Sequence, residues 1–477
     1  MLKIYNTLNR KIEDFKPIKD KQVGVYTCGP TVYSYVTIGN FRTYTLGDIV
    51  VRTLKYLGYD VKYIMNITDV GHLTGDNLGD ADIGEDRLEK ASKKEGKTAW
   101  EIAKFYTKDF LAGFDKLNFL RPEKFPKPTE HIQEQIDLIR KLEQKGFAYK
   151  ISDGIYFDTK TYEKAGFTYG ELSTLDQIKE GARVTPNLEK RDPKDFALWK
   201  FSPKKEKRHM EWDSPWGVGF PGWHIECSAM GMKYLGEQFD IHIGGEDLKS
   251  THHPNEIAQS QAATGKVPFV KYWIHGAFLL VDGGRMGKSL GNAYTLHDIM
   301  KKDYDPMHLR YFYLTGHYRK QLNFTWEALD AARVAYEKII DKIKEYKKYQ
   351  QEGSKIESYH SENRSLIDQN RFVAALEDDF NMPKALSILW ELIKSDENKG
   401  RKYKMILEFD RVFGLKLAER SREELKLTSE VKRLLNARLK ARENKDWKQS
   451  DEIRIKLKKE YNIEVSDTEK GQEIKGS

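Results

Sequence analysis

The chain has 477 residues, 39% hydrophobic and 32% charged, with a formal net charge of +8. That length suits two to four domains, each with its own core, and no run of about 18 apolar residues offers a membrane span. Only two cysteines occur, which excludes a disulfide framework and leads us to expect a reducing, cytoplasmic setting, while MLKIYNTLNRK lacks a secretory signal pattern.

In chain order, Val23 and Val25 alternate in KQVGVYTCGP and predict a buried strand, Gln22–Thr27, that ends at a Gly-Pro turn. A helix is expected over residues 39–56, where Phe41, Tyr44, Ile49, Val50 and Leu54 recur at helical intervals and Gly58 offers a C-terminal cap. A second strand is expected over residues 61–67, with Thr68 at its end. Strand, helix and strand in that order imply a parallel pairing, whose ligands gather at the strands' carboxyl ends. Cys28, Thr68 and Gly244, which follows the alternation Phe239, Ile241, Ile243, all fall at such ends.

Residues 121–208 carry Pro-rich turns, a helix near 130–145 and short strand-like pieces such as GIYFD. They read as an insertion between the halves 1–120 and 209–265 of the α/β domain, with 266–325 as the following region that holds the RMGKS loop. From 326 to 425 a helical bundle is expected: a long amphipathic helix over 326–349, a polar connector QQEGSKIESYHSENRS, then two helices broken at Asn381, Met382 and Pro383, since proline belongs in a first turn. Residues 426–477 close the chain with a helix pair and a short strand at 462–465. The class is α/β, a Rossmann-type parallel-sheet catalytic domain with an insertion, followed by a C-terminal helical bundle and a small terminal α/β piece. In residues 401–477, 21 Lys and Arg stand against 15 Asp and Glu. A concentrated positive charge of that kind suits a phosphate backbone, or a merely solvated helical tail.

Three motifs carry chemistry. The two cysteines, Cys28 and Cys227, with His252 and Glu256 four apart in HHPNE, make a set of two thiols, an imidazole and a carboxylate that satisfies zinc. Two unrelated buried cysteines would look the same. Thr37, Ile38, Gly39 and Asn40 open the first helix, where unpaired N–H groups favour a phosphate, or where the polar residues simply cap the helix. In LLVDGGRMGKSLGN, Arg285 and Lys288 sit in a glycine-rich loop that could offset charge on a triphosphate, or form a basic hairpin; the Walker A spacing is absent.

Cys28, TIGN, PGWHIECSAM, DIHIGGEDL, HHPNEIAQS and RMGKSLGN follow one another as in the cysteinyl-tRNA synthetases, and the chain resembles that class I family over nearly its whole length, HYRKQLNFTWEALDAA and LEDDFNMPKALSIL included. The resemblance implies one zinc on Cys28, Cys227, His252 and Glu256. It implies ATP, with Mg²⁺ as its counterion, on Thr37, Gly39, Asn40, Arg285, Lys288 and Ser289, and a cysteine pocket of Thr68, Trp223, His242 and Asp247. Region 266–325 would contact the tRNA stem. The C-terminal residues Lys432, Arg433, Arg438, Arg442 and Trp447 would meet the anticodon arm of tRNA(Cys) through backbone contacts and stacking.

No covalent nucleophile is implied, no membrane is involved, and a monomer is expected. The sequence departs from the family pattern at Thr37, which replaces a histidine, at Arg285, which replaces a lysine, and at Gly287, which replaces a serine. An acidic stretch also extends NITDVGHLTGDNLGDAD. The expected activity is an ATP-dependent cysteine–tRNA ligase. The runner-up is a ligase that joins cysteine to a small-molecule amine, as in mycothiol synthesis, which should lack the basic C-terminal portion; a third class is an RNA-binding protein on a decayed synthetase scaffold.

Overall fold

Four parallel strands form the central sheet in the order Val270–Gly276, Phe239–Gly245, Gln22–Thr27, Asp60–Met65. The strand that reaches Cys28 is interior, with Tyr26 opposite both His242 and Ile64. The helix Ile38–Tyr56 makes the first crossover, and its buried residues run from Ile38 to Leu54. The computed structural model describes residues 1–71, 73, 86–173, 187–203, 207–287, 290–349, 359–421, 429–468 and 471–476. Lys288, Ser289 and the Gly-Asp-rich segment 75–85 lie outside the described residues. No described helix is long and apolar enough to cross a membrane.

The second expected strand is shorter than its pattern, Asp60–Met65. Beyond Met65 the backbone leaves the ladder: Asn66 Oδ1 accepts from Gly29 N at 2.9 Å, and Thr68 N donates to Pro30 O at 2.9 Å. This ties the ends of the two strands together at the place where a ligand would sit. The insertion's strands Ala148–Ile151, Gly154–Phe157 and Phe196–Phe201 form an antiparallel sheet whose fourth strand, Gly219–Pro221, comes from beyond the expected bound at 208. Its core, with Ile139, Phe157 and Trp199, continues into Ile225 and Ala229 of the helix Trp223–Leu235 and into Ala258 and Ala262 of the helix His252–Thr264. The insertion thus packs on the two helices that carry the candidate metal ligands.

The chain divides into two units, Met1–Lys416 and Leu417–Ser477. Within the first, a buried ion cluster fastens the Ile38–Tyr56 helix to later helices. Asp48 Oδ2 accepts from Arg52 Nε at 2.8 Å and from Arg310 Nη2 at 2.5 Å, and its Oδ1 accepts from Leu120 N at 2.7 Å. Arg310 also donates to the carbonyls of Phe413 and Leu117, at 2.7 and 2.9 Å. The long helix runs Trp326–Lys347, and the expected break lies between Tyr359–Glu377 and Met382–Lys394, with Asn381 as the cap and Pro383 in the first turn. The expected polar connector is partly helical, because the helix packed through Phe372, Ala375 and Leu376 extends back to Tyr359.

In the second unit, Ser429–Glu443 and Trp447–Tyr461 pack against an antiparallel hairpin, Ile463–Thr468 with Gly471–Gly476. The second hairpin strand was not expected, since GQEIKG has no apolar alternation; its backbone pairing, the packing of Ile474 and the bonds of Gln472 to Arg438 and to Leu435 O hold it.

A candidate metal and substrate site at the strand ends

Cys28 follows the central strand and is held there by its own N–H, which donates to Ile243 O at 3.0 Å. Cys227 lies one turn into Trp223–Leu235, while His252 and Glu256 share the first turns of His252–Thr264. All four are buried, and one donor atom from each lies within 4.8 Å of the others. The sulfurs are 3.9 Å apart, too far for a disulfide. Two sulfurs about 2.3 Å from a tetrahedral zinc would be about 3.8 Å apart, so the observed spacing fits an ion between them. His252 Nε2 to Glu256 Oε1, 3.0 Å, and Cys28 Sγ to Glu256 Oε1, 3.9 Å, complete a donor set of the right chemistry and size.

The electrostatics suit a cation. A hydrogen bond from the Cys28 thiol, helped by His252, draws Cys227 down to about 6, whereas burial pushes Cys28 up. Burial alone would raise Glu256, but His242 and His252 hold it at about 2. Burial likewise opposes protonation of His252, yet Glu256 and Cys227 lift it to about 10. In the absence of an ion, a proton on His252 balances negative charge at a place where a divalent cation could do so instead.

Around this quartet the structure gathers the expected pocket residues. Trp223 stacks on His252 with ring centroids 4.2 Å apart. Thr68 donates to Glu226 Oε2 at 3.3 Å and accepts from Asn66 Nδ2 at 2.9 Å. Asp247 opens to solvent on the turn Glu246–Lys249, and the protein packed behind it raises its carboxyl.

His242 departs from the pocket-wall expectation. It is fully buried, donates from Nε2 to Glu256 Oε2 at 3.0 Å, and stacks on Trp273, so it orients a ligand from behind. The sequence reading missed His253, whose Nε2 is 3.4 Å from Cys28 Sγ and whose Nδ1 is 2.8 Å from His275 Nε2. Its spacing of three from Glu256 was a signal as good as that of His252. Cys28, His242, His253 and Glu256 form an overlapping quartet, but the one with two sulfurs is the better match to a thiophilic ion.

Of the expected nucleotide residues, Thr37 and Asn40 meet at the start of the first helix. Thr37 caps Ile38–Tyr56 in a reciprocal box, accepting from Asn40 N at 3.3 Å while Thr37 N donates to Asn40 Oδ1 at 3.3 Å. A methyl group on Gly39 would meet Met286 Sδ at 3.3 Å, so the glycine lets Met286 lie against the helix start. Arg285 is exposed on the short strand Gly284–Arg285.

Among the C-terminal residues, Arg438 is a correction. It is fully buried, and it grips Asp467 through two bonds of 2.8 and 3.0 Å and Gln472 Oε1 at 3.1 Å; the hairpin needs it, and it is not offered to RNA. Arg442 shares Asp467 at 2.9 Å and lies over the Trp447 ring, whereas Lys432, Arg433 and Trp447 are exposed.

Residues 14–334 match the family model of the tRNA synthetases class I (C) catalytic domain, residues 371–418 a DALR domain, and residues 425–474 the cysteinyl-tRNA ligase anticodon binding domain. The chain is 44% identical to a cysteine–tRNA ligase of Treponema denticola, covering 96% of each, and 44% identical to cysteine–tRNA ligase 1 of Burkholderia lata, covering 100% of this chain and 97% of that one. The chain belongs to the cysteine–tRNA ligase family.

The cysteine–tRNA ligase match at residues 425–474 sets aside the small-molecule ligase, which was expected to lack this portion. For the ligase fold itself, a Mycobacterium tuberculosis methionyl-tRNA synthetase in complex with methionyl-adenylate superposes with a TM-score of 0.56 at 14% identity, covering 87% of this chain and 94% of that one. A leucyl-tRNA synthetase from Agrobacterium radiobacter in a ternary complex gives 0.58 at 11%, covering 86% and 85%. At such identities the likeness concerns the class I architecture alone.

Proposed function

We propose that this chain activates cysteine with ATP and transfers it to the 3′-terminal adenosine of tRNA(Cys), and that Cys28, Cys227, His252 and Glu256 hold a zinc that selects the amino acid. The observation that carries the reading is the convergence of those four donors beneath Trp223, at the carboxyl end of the sheet, in a member of this family. Bound there, zinc would supply a preference for a thiolate over serine's hydroxyl, which an apolar pocket discriminates by only about 10–200-fold.

The chain's own groups then orient the substrate. Asp247 receives the ammonium, which favours its charged form against the burial that raises it. Thr68 offers its hydroxyl at the strand end, and Trp223 roofs the thiol side. The start of Ile38–Tyr56 faces the phosphates, so the bonds between Thr37 and Asn40 exchange for bonds to ATP when it binds. Arg285 and Lys288 offset charge on the leaving pyrophosphate, and Ser289 donates a hydrogen bond to the phosphates. The cysteine carboxylate attacks the α-phosphorus and pyrophosphate departs; the ribose 2′-hydroxyl then attacks the acyl carbon, loses its proton and releases AMP. Positioning and electrostatics suffice, so no covalent enzyme intermediate is required. Lys432, Arg433, Arg442 and Trp447 meet the anticodon arm. We take the protein to work as a cytoplasmic monomer with Mg²⁺-ATP.

Cysteine-dependent pyrophosphate exchange, followed by charging of a tRNA(Cys) transcript, tests this. Exchange without charging would overturn the tRNA step. Cys227→Ser should lower zinc content and weaken cysteine activation far more than ATP binding; equal losses would overturn the selecting role.

A further inference from the structure

Beside the start of Ile38–Tyr56 lies an aromatic face that no part of the activation chemistry uses. Tyr35, 40% exposed, stands two residues before the cap Thr37 and packs edge-on against Phe105, Tyr106 and His297, with centroids 6.2, 5.2 and 4.9 Å away. Phe105 is 45% exposed and Trp100 47%, both on the helix Ala99–Lys116. At 100° per residue, Lys104 and Lys108 lie between them on that helix, and both are exposed. Trp100 donates to His209 O at 2.9 Å and packs edge-on against Trp212, and with Tyr35 and Phe105 it leaves three large rings open on the same side of the helix.

The charges explain what the face is for. Its acids already have partners: Glu101 completes the capping box of Thr98, and Asp109 pairs with His297 at 2.6 Å. Among the described residues, Lys104 and Lys108 have no acidic partner. Lys97 Nζ stands 5.1 Å from the Phe105 ring centroid while pairing with Glu95 Oε2 at 3.1 Å. At the foot of the face a cleft opens between helices, walled by Val36, Phe41, Leu296 and Met300, with Asp109, His297 and Lys116 at its polar side. Lysine is depleted from the cores of protein–protein interfaces, which argues against a protein occupant. Lysines interleaved with open rings and an apolar slot are what a single strand needs, with bases on the rings and phosphates on the cations. A duplex would offer no base face to stack.

We propose that Tyr35, Trp100, Phe105, Lys104 and Lys108 bind the single-stranded 3′ end of the tRNA as it approaches the adenylate. The inference rests on the proposed function, since only a chain that charges RNA must bring such an end to the start of this helix.

The test uses the full-length protein, a tRNA(Cys) transcript and the same transcript lacking its single-stranded 3′ nucleotides. Trp100→Ala with Phe105→Ala should weaken binding of the intact transcript by about 10-fold or more, and binding of the shortened one by less than about twofold. Lys104→Glu with Lys108→Glu, which touches no packed side chain, should raise the KM for tRNA and reduce the log–log salt slope by about 1.4, the share of two phosphate contacts on a single strand. Pyrophosphate exchange, which needs no RNA, should stay within about twofold in both pairs. Equal losses on the two transcripts, no loss on either, or a matching fall in exchange would each overturn the inference. If the unaltered protein exchanges pyrophosphate yet charges no tRNA, the proposed function fails; if it charges normally and the variants do too, only this surface assignment fails.

Discussion

Replacing Arg310 by methionine removes one guanidinium from a place where water cannot substitute for it. Arg310 is fully buried and Asp48 almost so, at 1% side-chain exposure. Methionine fills much of the volume, but Asp48 then keeps only Arg52 and the Leu120 N–H, while the Phe413 and Leu117 carbonyls each lose a donor. Breaking a buried pair from one side costs about 3–5 kcal/mol. Each orphaned carbonyl adds up to about 1–3 kcal/mol, partly the same loss counted again. We expect a destabilisation of about 4 kcal/mol, read as a lowered urea midpoint for the full chain. The double variant Arg310→Met with Asp48→Leu also removes the stranded carboxylate and should unfold later than the single one. A shift below about 1 kcal/mol, or a double variant less stable than the single, would refute the view that this cluster fastens the first helix.

Asp48 also makes a pH prediction. Burial would raise its carboxyl, but Arg52 and Arg310 outweigh this and hold it below the ordinary value. Its contribution is therefore present above the unfolded value of about 3.9 and is lost as pH falls through the lower folded value; stability measured against pH below about 4 should be less steep in Asp48→Asn, and an unchanged slope would count against the pairing. In the C-terminal unit, Arg438→Met should destabilise by roughly 2–3 kcal/mol through lost charged hydrogen bonds, whereas Arg433→Met, at a side chain 77% exposed, should stay within about 0.5 kcal/mol in thermal unfolding. If zinc occupies the quartet, chelation should make both Cys28 and Cys227 react faster with a thiol reagent; equal rates with and without chelator would oppose a shared ion.

Local pattern carried much of this protein into view. The alternation at Val23 and Val25, the break at Pro383 and the four-residue spacing of His252 and Glu256 depend only on strand and helix periods, and the structure keeps all three. The same logic failed where pairing or packing outweighs local pattern. GQEIKG is a strand because a neighbour completes its ladder, and the strand after Asp60 stops at Met65 because Asn66 and Thr68 find partners in the Gly29–Val32 loop.

What only the tertiary structure decided is which distant groups share a space. Cys28 and Cys227 are 199 residues apart and meet because a parallel strand ends and the helix Trp223–Leu235 begins at one edge of the sheet. His253 joins them because the helix His252–Thr264 turns a second imidazole toward Cys28. Arg438 sits among exposed cations in sequence, yet it turns inward to Asp467. A helical or strand period specifies a residue's face but not the neighbour that face will meet, and that neighbour determines whether a cation supports the fold or remains open to RNA.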